Sequence, residues 1–168
     1  KLNTSKKNIK KELKIEDKKI ILYFGRLSKA KGIQHIINAI KNIDNIVLLV
    51  IGKKSNYYHE LKKQVEKLKI KENVMFLGFV ENSELGDYIK EADLAVLPCS
   101  FYEPLSRMLI ESLSLGCSLI ATDVGGNSDI VLNDKNGFLI KKNEINNLDT
   151  YIKKIINNAL THDEILKD

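Results

Sequence analysis

The chain has 168 residues, 43% of them hydrophobic and 29% charged, which is the balance of one globular domain rather than of a disordered or fibrous chain. Its net charge of +5 permits an anionic ligand or an acidic membrane surface and compels neither, and nothing in it calls for nucleic acid. No apolar run is long enough to span a bilayer, no secretory leader opens the sequence, and Cys99 and Cys117 lack metal-ligand spacing. The cysteines read as small apolar residues of a reducing compartment rather than as a disulfide.

The first residue is Lys rather than Met, as expected of a piece of a larger protein. Residues 1–16 read as a lysine-rich, solvated lead-in from a preceding domain, with a short surface helix over 6–13 capped by Ser5. The domain itself is expected over 17–168. Residues 19–24 form an apolar, β-rich run closed by Gly25, hence a buried strand. After the turn Arg26-Leu-Ser-Lys-Ala-Lys-Gly32, an apolar stripe at Ile33, Ile36, Ile37, Ile40 and Ile43 predicts an amphipathic helix. Residues 45–51 give a second buried strand, closed by Gly52.

The alternation continues. Tyr58, Leu61, Val65 and Leu68 mark a helix, and 73–77 a strand closed by Gly78. Leu85, Tyr88, Ile89 and Ala92 mark another helix, and 94–97 a strand ended by Pro98. A largely buried helix follows, with Pro104 at its start, Gly116 at its end, and Leu105, Met108, Leu109 and Leu113 along its stripe. Residues 118–121 are a strand, 128–132 a short helix, 138–140 a small strand and 145–160 a helix whose apolar face is Leu148, Ile152, Ile155 and Ile156. Strands apolar on both faces, alternating with helices, predict a doubly wound parallel sheet of the Rossmann-like α/β class.

In such a sheet, ligands bind beyond the carboxyl ends of the strands. Glycines at those ends allow close backbone approach, and helix starts there offer free N–H groups to phosphate. Arg26 and Lys31 add full positive charge at one side of this edge, and Glu103 and Glu111 stand at the other. A charge such as Glu111, among apolar residues, is either paired or faces a cleft, because burying it alone is costly. Its partner in the first case is Arg107, one helical turn earlier. Phosphates to the cations and ribose hydroxyls to a carboxylate make a nucleotide the fitting ligand. The sequence has neither a Gly-x-Gly-x-x-Gly after its first strand nor a P-loop lysine, which counts against dinucleotide binding and ATP hydrolysis. Its histidines, at 35, 59 and 162, have no ligand spacing, so no metal is expected.

Phe24-Gly-Arg-Leu-Ser-Lys-Ala-Lys-Gly32 resembles the Gly-Arg-Leu…Lys-Gly motif of the family 4 (group 1) retaining glycosyltransferases. Val74-Met-Phe-Leu-Gly-Phe-Val80 is similar to their strand leading to the base pocket, and Glu103 and Glu111, with seven residues between, to their two-glutamate signature. Thr122-Asp-Val-Gly-Gly-Asn-Ser-Asp-Ile130 and Asn136-Gly-Phe-Leu-Ile140 resemble the segments that follow it, in the same order. The resemblance implies the carboxyl-terminal, donor-binding half of a GT-B enzyme, inactive without a separate amino-terminal acceptor domain. It implies diphosphate binding by Arg26 and Lys31, beside Gly25. Glu111 would take the ribose hydroxyls and Glu103 the donor sugar. Backbone N–H groups of Leu105 and Ser106 would lie near the sugar and distal phosphate, and Phe79 and Val80 would line the base pocket. The expected ligand is a nucleotide sugar, used without metal or other cofactor by a cytoplasmic protein that leaves any peripheral membrane contact to its other half.

Three positions depart from that pattern: Ser106 stands where relatives carry Gly, Asp129 where Glu is commoner, and Gly52-Lys-Lys-Ser55 lacks the usual second glycine. From the residues alone, a Rossmann-like module that kept the fold and lost the ligand competes with the donor reading. The third possibility is an epimerase of similar shape, but it predicts a glutamate and histidine pattern that is absent here.

Overall fold

Lys19–Phe24 (β1) and Ile46–Ile51 (β2) are apolar almost from end to end, and strands of that kind must be covered on both faces. In the computed structural model, which describes residues 7–102 and 104–157, they lie parallel at the middle of a six-stranded sheet. Val74–Gly78 (β3), Leu94–Leu97 (β4), Ser118–Thr122 (β5) and Gly137–Ile140 (β6) complete it in the order β3-β2-β1-β4-β5-β6, each neighbouring pair parallel. This is the Rossmann-like α/β architecture expected from the sequence. The chain steps outward from β1 through β2 and β3, then returns to pair β4 with the other side of β1. Connections leaving β1 and β4 run in opposite directions, and a crevice opens between them at the carboxyl edge.

Helices cover both faces. Ile9–Leu13 (α1), Asn82–Glu91 (α4) and Arg107–Ser114 (α5) pack in one group, and Ile33–Ile40 (α2), Asn56–Lys67 (α3) and Leu148–Asn157 (α6) in another. The isoleucine stripe of α2 is wholly inside, and β1, β2, β4 and β5 fill the core between the layers. Edge strand β3 stays half-buried beyond Val74. Cys99 and Cys117 are buried free thiols, and burial pushes the Cys117 thiol well above its ordinary range. They sit as packing residues, with the Cys117 thiol held neutral.

Several local expectations shift. The first helix starts at Ile9 and is capped by Asn8, whose Oδ1 accepts from the Lys11 N–H at 2.8 Å, not by Ser5, which lies outside the described residues. The described part of the lead-in, residues 7–16, is docked on the domain rather than trailing. Ile9 and Ile15 join the core, and Glu91 accepts from the backbone N–H groups of both Ile9 and Lys10 at 2.8 Å. Helix α2 ends at Ile40, short of Ile43. Over 128–132 the chain instead makes a 3-10 turn at Gly125–Asp129, held by buried Asn127, which donates to the Thr122 carbonyl at 2.9 Å. A second 3-10 turn, Lys142–Asn147, precedes α6, and the end of the expected tail helix lies outside the described residues.

The helix after β4 also begins later than Pro104. Ser106 is its N-cap, accepting from the Leu109 N–H at 3.4 Å, so Pro104 and Leu105 belong to the preceding loop. Leu105 is accordingly 54% exposed rather than part of the buried stripe, whereas Met108 and Leu109 are buried as expected. Gly116 follows the helix with a φ of 76°, the left-handed geometry of a helix terminator.

Candidate functional site

A cleft of about 730 Å³ opens at the carboxyl edge of the sheet, across the point where the strand order reverses. Its walls are the ends of β1, β2 and β3 on one side and the 105–111 segment on the other. Gly25, Arg26, Lys31, Phe79, Val80, Leu105, Ser106 and Glu111 all line it, so eight residues singled out from the sequence meet in one place. Glu103, the ninth, lies outside the described residues.

The turn carrying Arg26 and Lys31 is held by its own carbonyls. Buried Tyr23 donates its hydroxyl to the Arg26 carbonyl at 2.7 Å, Ser55 Oγ to that of Leu27 at 2.8 Å, and the Ser100 N–H to that of Ala30 at 2.9 Å. A residue of β1 and residues from the loops after β2 and β4 thus fix one loop. Gly32 closes it at φ 80°, where a Cβ would overlap the Pro98 carbonyl, so no other residue fits without movement. Lys29–Lys31 forms a 3-10 turn, and Lys31 Nζ lies 5.2 Å from the Phe101 ring centroid. Arg26 is exposed toward the cleft.

Glu111 projects from the middle of α5 with its side chain 20% exposed, and its Oε1 accepts from Arg107 Nη2 at 2.9 Å. Both sequence readings of Glu111 therefore hold together. It is paired with Arg107 across one helical turn, and it also faces the cleft. Arg107 itself is 79% exposed, so the pair sits at the mouth rather than in the core. Ser106 is buried at the helix start, and Gly126 packs so tightly under the Pro104 carbonyl that a Cβ there would collide with it. The Gly125-Gly126 turn is thereby the support of the loop that leads into α5.

The part of the first wall beyond β2 and β3 is only half legible in the sequence. Phe79 stands 57% exposed just after β3, beside Val80, and Lys53 Nζ lies 5.2 Å from its ring centroid. Lys53, Lys54, Tyr23, Asn82 and Arg107 line the cleft without having been named as ligand-binding residues. Tyr23 reads as a core strand residue, and only the tertiary structure shows its hydroxyl reaching the loop above. The lysine pair has two signals in the sequence: its departure from the family pattern and its place just after β2, at the edge where ligands bind. No group of three or more His, Cys, Asp or Glu side chains is placed to hold a metal among the described residues, and burial pushes His35 below its ordinary value.

A switch-point cleft with two cations on a firmly held loop, close-approach glycines and a half-buried carboxylate defines a Rossmann-like α/β domain built for an anionic ligand. The chain belongs to the group 1 glycosyl transferases, whose family model matches residues 4–167. It is similar to an uncharacterised glycosyltransferase of Methanocaldococcus jannaschii, at 33% identity over 130 residues covering 74% of this chain and 32% of that protein. Spore coat protein SA of Bacillus subtilis is 29% identical over 169 residues, 95% of this chain and 44% of its own length. Among solved structures, HepE of Anabaena in complex with UDP superposes with a TM-score of 0.86 at 25% identity, covering 94% of this chain and 44% of that one. The chain thus spans between about a third and under half of the length of these relatives. No helix among the described residues is long and apolar enough to cross a membrane.

Proposed function

We propose that this domain holds the nucleotide-sugar donor of a retaining glycosyltransferase that moves the sugar to a hydroxyl acceptor, in glycan or glycolipid synthesis. The observation that carries the proposal is the meeting of Arg26, Lys31 and Glu111 in one cleft at the sheet's switch point. Arg26 and Lys31 hold the diphosphate and offset the charge that grows on it as the sugar leaves. Glu111, whose second carboxylate oxygen is not engaged by Arg107, takes the ribose hydroxyls. Leu105 and Ser106 offer backbone N–H groups to the sugar and distal phosphate, and Phe79 and Val80 flank the base. Glu103 contacts the donor sugar. Catalysis on this side rests on orientation and electrostatic stabilisation, without a metal or other cofactor.

The acceptor belongs to a partner domain outside this chain, so the domain alone binds donor without turnover. The whole enzyme works in the cytoplasm and touches the inner face of the membrane, where it does so, through that other domain. The UDP held by the HepE structure and the family match support the donor class. Calorimetry of the 168-residue chain against UDP, GDP, ADP and their sugars tests the reading. Binding of at least one nucleotide, weakened about tenfold or more in Glu111→Ala, is the expected result, because hydrogen bonds to a charged group are worth roughly 1.5–3 kcal/mol. A folded sample that takes up none of them points instead to a module that kept the fold and lost its ligand.

A further inference from the structure

Lys53 occupies a place that neither the fold nor the diphosphate explains. It follows Gly52 at the end of β2, in a loop tied down on either side. The Gly52 N–H donates to the Gly78 carbonyl at 2.7 Å, and Ser55 Oγ to the Leu27 carbonyl at 2.8 Å. Between those anchors the Lys53 ammonium is directed onto the exposed ring of Phe79, 5.2 Å from its centroid, in the lining of the same cleft. A large, exposed aromatic ring in a ligand cleft is a stacking surface, and here a cation is parked on it.

We infer that Lys53 reads the nucleobase, selecting one that carries a carbonyl at its outer edge, as uracil and guanine do, over one that carries an amino group there, as cytosine and adenine do. The inference rests on the donor reading above and deepens it to the class of nucleotide. Its chemistry is that of a lysine, which has three donors and no acceptor. The uracil O4 and guanine O6 accept, whereas the cytosine and adenine exocyclic nitrogens donate and would face the ammonium donor to donor. A base entering over Phe79 displaces the ammonium from the ring face and meets it at its edge. The exchange is favourable for an oxo base, because a charge-assisted hydrogen bond outweighs an exposed cation–π contact. For an amino base the exocyclic position offers no acceptor, so the cation–π contact is lost and that position does not replace it.

UDP and CDP differ only at that edge and carry the same diphosphate, so the ratio of their affinities isolates base reading from general attraction. Calorimetry on the wild-type chain should give UDP at least about tenfold tighter than CDP, and GDP likewise tighter than ADP. Lys53→Met keeps the aliphatic stem and removes the donors, and it should bring the UDP-to-CDP ratio to within about threefold of unity. A wild-type ratio near unity overturns the inference, as does a preference that survives intact in Lys53→Met. A mutation that weakens UDP and CDP alike also overturns it, since Lys53 would then be acting only on the phosphates. Failure of every nucleotide to bind would remove the donor reading itself, whereas equal binding of all four removes only this inference. Lys53 is exposed and packs no core, so an unchanged melting temperature should accompany the substitution.

Discussion

The two walls of the cleft are built differently. On the β1 side, carbonyls of three residues in the cationic turn are occupied by donors from three strands or their following loops, and a glycine in left-handed geometry closes it against Pro98. On the β4 side, Phe101, Tyr102 and Leu105 are exposed, and the carboxylate is placed by a helix cap and an ion pair at the surface. The cationic turn is set by backbone constraint, whereas the carboxylate of the other wall is set by side-chain contacts above a loop that rests on Gly126. On the proposed reading the first wall meets the diphosphate, which every donor shares, and the second meets the sugar, which differs between donors. Removing both cations of the first wall should therefore cause the largest loss, and removing Arg107 from the second should act as tuning.

Removing the charge of the rigid wall should have the largest effect. The double substitution Arg26→Ala with Lys31→Ala should weaken nucleoside diphosphate binding by about 3–6 kcal/mol if the two add, since each charge-assisted contact contributes roughly 1.5–3 kcal/mol. In a titration this is about two to four powers of ten in Kd. A loss below tenfold would mean that the cations do not hold the ligand and would erase the contrast between the walls. Next comes the scaffold of the same turn. Gly32→Ala should destabilise the fold by about 2–5 kcal/mol, adding about 1–2 for left-handed geometry to about 1–3 for overpacking against Pro98. Urea unfolding measures it, and a change under about 0.5 kcal/mol, the size expected of a neutral surface site, would show that the loop gives way easily.

What the sequence disclosed follows the same line between local and distant causes. Continuous apolar runs announced β1 and β2, and isoleucine spacing announced α2, because burial on both faces or on one stripe leaves a period in the chain. The rule that ligands meet a parallel sheet at its carboxyl edge points to Gly25, Arg26 and Phe79, whereas Ser106 follows only from the family resemblance. Caps were harder, since several residues compete within a few positions. Pro104 is a good first helical residue, yet Ser106 captures the start because its hydroxyl reaches the Leu109 N–H. Asn8 prevails in the first helix in the same way, by reaching the Lys11 N–H. Tyr23 could not be assigned from spacing at all, and Lys53 could be placed at the ligand edge but not against Phe79. Their roles depend on which loop lies above the strand, and that is a property of the sheet order.

The smallest expected effect lies on the second wall and separates placement from charge. Arg107 is mostly exposed, and exposed ion pairs typically contribute about 0.2–1 kcal/mol, so Arg107→Ala should weaken nucleotide binding by no more than about fivefold. Two causes feed that loss. One is the guanidinium's contribution to the positive field of the cleft, which fades as salt rises and the Debye length falls from about 10 Å at 0.1 M to about 3 Å at 1 M. The other is its hold on Glu111, which keeps one carboxylate oxygen occupied and the other turned toward the ligand. Only the second depends on Glu111 being present. A double-mutant cycle with Glu111→Ala at high salt should therefore return a coupling between the two residues, and Arg107→Ala should be nearly silent once Glu111 is gone. If the Arg107 effect instead persists in the Glu111→Ala background and disappears with salt, Arg107 supplies field alone and the carboxylate is oriented by α5 without it. Tighter binding in Arg107→Ala would carry the opposite lesson: the arginine would be competing with the ribose for the carboxylate, and the second wall would be self-occupied.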